Sequence, residues 1–466
     1  MSSSNLILPG GLNLALNPLA HKPGDMTRCI NTTNDQFGAK KKRAGYTTYL
    51  GTVDGGQVLD LHNFTLDNGT QFWNYRNNNG TLYYSQQGTG NWTVCGNGTL
   101  TAGSHIGVGT LENTLIVGDG VAATRHTTNG TSFTNTTAAP IASRFVDFQQ
   151  RIYAMGTSST LFWSTTGTPT SWTGSDSSSI QIPGGGKLLD IMKVADRVVT
   201  TKNSGIMHRW DGFNLFDLST NLGFTSPYSV ANVEDFRFGL NRVGQFGFGG
   251  NKPEIISNPI EKLIYNDASE GIIGTTFDNA PGVAHKYEWM VSIGTVTDDL
   301  TDETILNAIT VYDYQVDDWS IRTFANRPTA WLSYKDASGS QQLIFGDASG
   351  QCYTYGNNAL NDNGSPIECI MEGIITGNSL QDKKWNWFRA MFNPGCQGQV
   401  QVAISNTLTK GAKNWINLGQ ATDGAVDYKF PSGSRGKFLF WKIIESSRNS
   451  RMSFFGMEFD AEIIQH

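Results

Sequence analysis

Residues 71–84 read QFWNYRNNNGTLYY, two aromatic-rich stretches on either side of an Asn-Gly pair. Asn79 and Gly80 are the residue types that a two-residue hairpin loop favours, because both adopt positive φ at low cost. Aromatic side chains on both flanks pack well across a pleated surface. The stretch therefore predicts a β-hairpin.

The same pattern recurs from about residue 55 to residue 356. Further apolar stretches joined by turns rich in Gly, Asn or Asp cover residues 114–120, 151–164, 197–210, 245–256, 289–312 and 342–355. One hairpin alone is marginally stable, so neighbouring units must bury each other's faces. A repeat of roughly 40 residues with this content is typical of β-propeller blades. We therefore predict an all-β chain with a six- or seven-bladed propeller; residues 229–265 are the uncertain unit.

The two ends of the chain differ in composition and pattern from the repeated hairpins. Pro and Gly are dense before residue 50, which predicts an extended arm lying on a surface over residues 1–50. Alternating strands after about residue 366 predict an appended β-sandwich-like module. The predicted domains are therefore the arm at 1–50, the propeller at 51–360 and the sandwich-like module at 361–466.

Composition argues against several classes of function for this protein. Charged residues make up 16% of the 466 residues and the net charge is −6, so broad adsorption to nucleic acid is not expected. No run of 18 apolar residues occurs, and residues 1–10 lack the basic and apolar regions of a secretory signal. We therefore predict no membrane-spanning segment.

The cysteines and glycosylation sequons leave two interpretations open. The five cysteines show no zinc-site spacing, which favours reduced, buried thiols. Nine Asn-x-Ser/Thr sequons occur, eight of them before residue 140, and would suit a secreted glycoprotein. Asn-Gly and Thr are also what hairpins require, and this explanation is favoured.

No catalytic constellation is evident in the sequence. The seven histidines include no HExxH or His-x-His pair, and His208 is expected to be an ordinary strand residue. Residues 164–172, STTGTPTSW, resemble a sialidase box but lack its Asp, while Asp267, Asp336 and Asp347 fall at predicted turns. The acidic stretch around Asp298 is expected to be a solvated loop. We predict no cofactor, no metal ion, no catalytic residue and no enzymatic activity.

A basic run provides the candidate contact residues. Lys40, Lys41, Lys42 and Arg43 are consecutive and are followed by Ala44-Gly45. Four cations on an exposed arm are expected to be solvated or to contact another subunit, with DNA as the other possible contact.

Two stretches resemble tailed-phage β-propeller structural proteins. The first is the opening, with Gly10-Gly11-Leu12-Asn13 and, closing it, Arg43-Ala44-Gly45, where Pro is more usual than Ala44. The second runs from residue 151 to residue 212 and includes Trp163-Ser164, Pro169, Trp172 and Gly185-Gly186. Chain length and the C-terminal strands are similar to those of the tail nozzle family of short-tailed, P22-like phages.

This resemblance implies a function. Nozzle subunits form a ring of six copies below the portal and adaptor, extend the DNA channel, and hold a tail needle or fibres. The chain is therefore expected to be a homohexameric structural protein of the virion tail, assembled in the host cytoplasm. Its expected partners are adaptor or portal-proximal ring proteins, needle or fibres, and transiently passing DNA repelled by acidic channel walls.

A carbohydrate-binding or receptor-recognition propeller is the alternative. Exposed tryptophans would then stack on sugars, and the candidates are Trp92, Trp172 and Trp319.

Overall fold

The computed structural model describes most of the chain. The described residues are 5–14, 22, 24–35, 38–51, 55–67, 69, 71–219, 221–266, 271–272, 279–298, 303–356, 358–376, 381–408 and 413–464. The Asn17-Pro18 pair, Pro23, Asp267 and the acidic loop at 299–302 lie outside them.

Strands dominate the described residues. The N-terminal strands are β1 (Asn5–Ile7), β2 (Met26–Ile30), β3 (Thr32–Asn34), β4 (Lys40–Lys42) and β5 (Tyr46–Tyr49). The strands that follow them form hairpins throughout: β6 (Val58–Thr65), β7 (Phe72–Asn78), β8 (Thr81–Gln86), β9 (Thr93–Thr99), β10 (Gly107–Leu111), β11 (Thr114–Gly118), β12 (Arg125–Thr127), β13 (Thr134–Asn135), β14 (Ala142–Phe148), β15 (Arg151–Gly156), β16 (Thr160–Trp163), β17 (Ser178–Gln181), β18 (Leu188–Val194), β19 (Arg197–Lys202), β20 (Met207–Trp210), β21 (Leu215–Ser219), β22 (Ser226–Val233), β23 (Phe236–Asn241), β24 (Gly244–Phe248) and β25 (Glu254–Ile255).

Short helical turns precede the second half of the chain. A 3-10 turn at Asn258–Ile260 leads into α1 (Glu261–Ile264). The remaining strands are β26 (Tyr265–Asn266), β27 (Gly271–Ile272), β28 (Gly282–His285), β29 (Glu288–Asp298), β30 (Glu303–Asp313), β31 (Asp318–Thr323), β32 (Ala330–Lys335), β33 (Gln341–Gly346), β34 (Cys352–Tyr355), β35 (Cys369–Ile375), β36 (Lys383–Phe392), β37 (Gln399–Ser405), β38 (Ile416–Gln420), β39 (Ala425–Lys429), β40 (Arg435–Gly436), β41 (Phe438–Glu445) and β42 (Ser453–Ile463). No helix within the described part of the chain is long and apolar enough to cross a membrane.

The hairpin predicted at residues 71–84 is confirmed. Strands β7 and β8 pair antiparallel up to Asn78 and Thr81, which leaves Asn79 and Gly80 as the loop. Both loop residues have positive φ, 50° and 91°, as a type I′ turn requires. The Asn77 side chain accepts a hydrogen bond from the Gly80 amide at 2.9 Å, which fixes the turn further.

The predicted propeller is also confirmed. Six separate four-stranded sheets are its blades: β6–β9, β10–β13, β14–β17, β18–β21, β22–β25, and β32–β34 with β5. Strands β28–β31 form one further blade of the propeller, because β28 packs between β22 and β32. These four strands belong to a larger, nine-stranded sheet. The uncertain unit near residues 229–265 contains an ordinary blade, β22–β25.

An N-terminal strand completes the last blade and so closes the propeller. Strand β5 pairs antiparallel with β34, so the last blade combines residues from the two ends of the propeller sequence. Tyr46 on β5 is fully buried, with ring centroids of Phe324, Phe345 and Tyr353 about 5 Å away. Its hydroxyl donates to the Asn326 side chain at 3.0 Å.

Two sheets build the C-terminal module. The nine-stranded sheet has the order β28-β29-β30-β31-β2-β35-β41-β37-β38. The other has the order β3-β4-β42-β36-β39, with β1 on β42 and β40 on β36. Trp385 and Phe459 of this second sheet share one apolar core with Val402 and Trp441 of the first. The two sheets therefore pack as a sandwich, and one of them continues into the propeller.

The described strands between residues 26 and 42 differ from the predicted surface arm. Strand β2 lies inside the nine-stranded sheet, parallel to β31 and antiparallel to β35, and Met26 and Cys29 are fully buried. Strands β3 and β4 form a hairpin on the edge of β42. These strands are too short to show a periodic pattern, and the strands that cover them lie hundreds of residues later in the chain, so local sequence did not reveal them.

Replacing Tyr46 with Ala is expected to open the ring closure. The change removes a buried ring and its hydroxyl contact, so unfolding free energy should fall by about 3–5 kcal/mol. Tyr287→Ala, on the exposed turn between β28 and β29, is the matched control and should change stability by less than about 0.5 kcal/mol. Urea unfolding followed by tryptophan fluorescence measures both; equal losses in the two variants would contradict closure by β5.

Candidate functional site

The basic run does not form an exposed patch. Lys40 and Lys42 lie on the same side of β4 and are buried, while Lys41 between them is 44% exposed. Arg43 follows directly and is 1% exposed. The expectation of four exposed cations is therefore corrected: of the four, only Lys41 presents its charge to solvent, since alternate residues of a strand face opposite sides.

Each buried cation has a carboxylate partner from a different part of the fold. Lys40 Nζ lies 2.6 Å from Asp318 on β31, a propeller strand. Lys42 Nζ lies 2.6 Å from Glu445 at the end of β41, a sandwich strand. Burial disfavours the charged form of Lys40, but the nearby Cys29 and Asp318 raise its pKa overall.

Arg43 is the most extensively bound of the four. Its guanidinium donates two hydrogen bonds to Asp362, at 2.8 and 2.6 Å. It also donates to the Asn31 side chain and to the Thr323 carbonyl, and it lies 4.5 Å from the centroid of the Phe324 ring. Arg43 thus connects the end of β2, the end of the propeller strand β31 and the segment after the last blade.

A second polar site lies on the propeller axis. A cavity of about 460 Å³ is lined by the starts of the inner strands β6, β10, β14, β18, β22, β28 and β32. Three of these strands carry a β-bulge next to a charged residue, at Asp60, Arg144 and Asp190. Bulges redirect side chains and are frequent beside functional sites.

Side chains from five inner segments meet across this axis. His105 Nδ1 lies 2.8 Å from Asp60, and the His105 ring lies 3.9 Å from the Tyr228 ring. Arg144 lies over the Tyr228 ring at 4.5 Å, and its Nε is 3.3 Å from Asp190. These contacts link side chains in a continuous series from β6 to β18. They therefore obstruct the propeller axis.

Asp60 and Asp190 are the carboxylates at the two ends of this series of contacts, and their pKa values shift in opposite directions. Burial raises the pKa of Asp190 to about 6, and the neighbouring Arg144 only partly offsets it. Burial also disfavours ionised Asp60, but its bonds from His105 and Asn77 and the charge of His105 lower its pKa overall. Opposite pKa shifts of two groups in one cavity occur in functional sites and in structural ion-pair networks alike.

Three residues that line the cavity have a buried polar atom without a hydrogen-bond partner among the described residues, namely His62, Arg237 and Trp331. His62 lines the cavity on β6, and burial lowers its pKa. Its Nε2 is buried and has no hydrogen-bond partner among the described residues. Buried ring nitrogens normally have a partner, so His62 Nε2 is an unsatisfied polar atom beside the axial cavity.

The charges around the axial cavity balance. Three carboxylates face three cations, namely Asp60, Asp147, Asp190, Arg144, Lys193 and Arg237. No group of three His, Cys, Asp or Glu in the described part of the chain is arranged to hold a metal ion. The arrangement suits binding of a neutral polar molecule or cross-bracing of the blades, and it offers no acidic conduit.

Sequence reasoning missed this axial site, although a signal for it exists. Asp60, Arg144 and Asp190 are each the third residue of the first strand of a blade, and Asp60 and Asp190 stand between apolar neighbours. A charged residue recurring at that one position in the repeat would have identified the axis. His105 and Tyr228, in contrast, sit in connecting or irregular segments and carry no such signal.

The other sequence candidates have local explanations. His208 is a buried residue of β20 with Asp217 at 3.3 Å. Asp336 and Asp347 accept hydrogen bonds from the backbone amides of their own turns. All five cysteines are buried and unbonded to each other. His21 and His466 lie outside the described residues.

The tryptophans named for sugar stacking differ from one another. Trp92 and Trp319 are buried in the core, so their faces are not available to a ligand. Trp172 is partly exposed and lines a cavity of about 500 Å³ on the outside of the β14–β17 blade.

The similarity of this chain to known proteins is confined to solved structures at low sequence identity. No protein-family model matches the chain, and no curated protein matches it in sequence. Among solved structures, the WD40 β-propeller domain of Doa1 is similar with a TM-score of 0.42 at 11% identity, over 67% of this chain and 97% of that one. BBS1N, solved in complex with ARL6DN, gives 0.44 at 11% identity over 68% and 99%. An extracellular domain named for the hybrid two component system BT4673 of B. thetaiotaomicron gives 0.46 at 11% identity over 90% and 60%.

Arg43→Ala is expected to destabilise the protein strongly. The change leaves Asp362 buried without its charged partner, which costs about 3–5 kcal/mol of unfolding free energy. Lys41→Ala, two residues away and exposed, should cost less than about 1 kcal/mol. Thermal and urea denaturation compare the two; similar losses would show that Arg43 is not a structural anchor.

Asp190 is expected to make stability depend on pH in an unusual direction. Its folded pKa of about 6 exceeds the unfolded value, so between about pH 4 and 6 the folded state holds a proton that the unfolded chain has released. The Asp190 contribution therefore declines as pH rises through this window, by roughly 3 kcal/mol for a shift of about two units.

The measurement is the difference in unfolding free energy between the wild type and Asp190→Asn at pH 4.0, 5.5 and 7.0. The wild type should lose stability relative to the variant as pH rises. A constant difference, or one of the opposite sign, would show that Asp190 has no raised pKa.

Proposed function

We propose that this chain is a structural, non-enzymatic subunit of a short-tailed phage nozzle, arranged as a homohexameric ring in the virion tail. The observation that carries the proposal concerns Arg43-Ala44-Gly45, the motif on which the resemblance to phage propellers partly depends. This motif is where the N-terminal segment, the propeller and the sandwich are joined. The resemblance therefore involves the residues that give this molecule its particular architecture.

The rigidity of the joint supports a structural role. One sheet runs without interruption from the propeller strands β28–β31 through β2 into the sandwich strands. Buried ion pairs at Lys40, Lys42 and Arg43 fix the N-terminal chain to both modules. A ring that guides DNA needs subunits that do not flex between modules, and this construction suits that requirement.

The position of the DNA path follows from the axial site. Contacts through Tyr228 obstruct the propeller axis, and the charges there balance. In the proposed ring the conduit for DNA is therefore enclosed between subunits, and the acidic walls that repel DNA belong to surfaces facing the ring centre. The proposed partners are adaptor or portal-proximal ring proteins, the needle or fibres, and DNA in passage. Assembly takes place in the host cytoplasm.

Lys41 is the residue of the basic run that retains a proposed contact role. Its ammonium group is exposed and pairs at 3.2 Å with Asp35, whose side chain is only 9% exposed. Because Lys41→Gln removes the charge without placing a second carboxylate beside Asp35, it separates subunit or DNA contact from stability.

Cryo-EM of virions from the phage that encodes this chain tests the proposal. We expect a ring of six copies at the base of the tail, with the propeller density fitting one subunit each. Particles carrying Lys41→Gln should retain the folded chain, with weaker ring assembly if Lys41 contacts a neighbour. Absence of the chain from the tail, or its presence there without a ring, would overturn the proposal.

A further inference from the structure

The cavity beside Trp172 has a chemistry distinct from the axial site. It lies on the outside of the β14–β17 blade, next to the connection from the preceding blade, and has a volume of about 500 Å³. This is within the range of small-molecule sites. Trp172 and Phe162 supply aromatic surface, and Ser178 and Ser179 supply hydroxyl groups.

No charged side chain lines this cavity, and every residue around it is described by the structure. A charged ligand would therefore lose hydration without gaining an ion pair. A purely apolar ligand would leave the serine hydroxyls facing it without partners. The lining fits a neutral molecule that has both an apolar face and a hydroxyl-bearing edge.

The aromatic walls are held in place before any ligand arrives. Phe162 packs against the buried cluster that includes Phe145 and Ile152. Trp172 packs against the apolar cluster that includes Phe162. A rigid aromatic wall keeps the entropic cost of binding small.

The loop that carries Trp172 is also fixed by hydrogen bonds. The Thr165 amide donates to the Ser171 carbonyl at 2.8 Å, and their hydroxyls are 3.1 Å apart. Asp176, further along the same loop, pairs with Arg151 at 3.1 Å.

We propose that this cavity is a binding site for a neutral saccharide, one pyranose ring stacking on Trp172 and its hydroxyls meeting Ser178 and Ser179. A pyranose has an apolar face of C–H groups and a rim of hydroxyls that both donate and accept, which is what the lining requires. The size limits the site to one or two sugar units, and an extended peptide or a longer apolar chain does not match it. This site is independent of the nozzle proposal, because it needs neither a ring nor DNA.

Saturation-transfer NMR on the purified full-length chain tests the site. The probes are neutral saccharides (glucose, galactose, N-acetylglucosamine, maltose, cellobiose and chitobiose), with sialyllactose as the acidic comparison and a proline-rich peptide as the non-sugar comparison. At least one neutral saccharide should bind with millimolar affinity or better, and tighter than both comparison ligands.

Three variants assign the binding to the cavity. Trp172→Ala should weaken it at least tenfold, and Ser179→Glu, an exposed position, should do so by placing a charge in the lining while leaving the indole in place. Phe213→Ala removes an aromatic side chain that is 85% exposed on the neighbouring blade and should change nothing. Circular dichroism checks that each variant is folded.

Certain results would overturn the proposal: no neutral saccharide binding, unchanged affinity in Ser179→Glu, or tighter binding of sialyllactose or the peptide. The nozzle proposal fails separately, on the absence of a ring in virions.

Discussion

The buried pairing of Arg43 with Asp362 is the interaction on which the assembly of this molecule depends. Asp362 lies just after the last blade, and Arg43 just before the strand that closes it. The same guanidinium reaches the end of β31 and the residue after β2. An ion pair out of water is costly to form and more costly to break, so it fixes one register for three segments that are far apart in sequence.

The nine-stranded sheet adds a second connection between the propeller and the sandwich. Strand β2 inserts between β31 of the propeller and β35 of the sandwich, so the two modules share backbone hydrogen bonds as well as side-chain contacts. Lys40 and Lys42 then tie the neighbouring hairpin to β31 and to β41. The N-terminal segment is thus an internal part of both modules, and the molecule behaves as one body. That property is the structural basis of the ring-forming role proposed above.

The polar groups of the propeller are divided between two different environments. On the axis, side chains from five inner segments contact one another, four of them ionisable acids or bases and the fifth Tyr228. On the outer side of one blade, an uncharged aromatic cavity faces solvent. Axial charges are well suited to holding blades in place, because each connects strands with few direct contacts. The outer cavity contributes nothing comparable to the fold, which makes it the better position for a ligand.

The hairpins were predictable because their information is local. An Asn-Gly loop between aromatic stretches specifies a type I′ turn, and residues 71–84 adopt it. The blade around residues 229–265 was harder to recognise, because its glycines interrupt the alternating pattern. The structure shows why they are there: a Cβ at Gly239 or Gly247 would lie less than 3 Å from the rings of Phe224 or Phe236. Those glycines make room for aromatic side chains, and only the packed sheet reveals this.

The sequence by itself determined the hairpins, their repetition and hence a propeller followed by further strands, since turn chemistry and alternation act between near neighbours. It identified the basic run at 40–43 but indicated an exposed surface, because the carboxylates that bury these cations lie 275 or more residues later in the chain. Only the tertiary structure decided that β2 joins two modules, that the axis is obstructed and that Trp172, unlike Trp92 and Trp319, lines a cavity. Each of these depends on contacts between distant segments, for which local composition carries no signal.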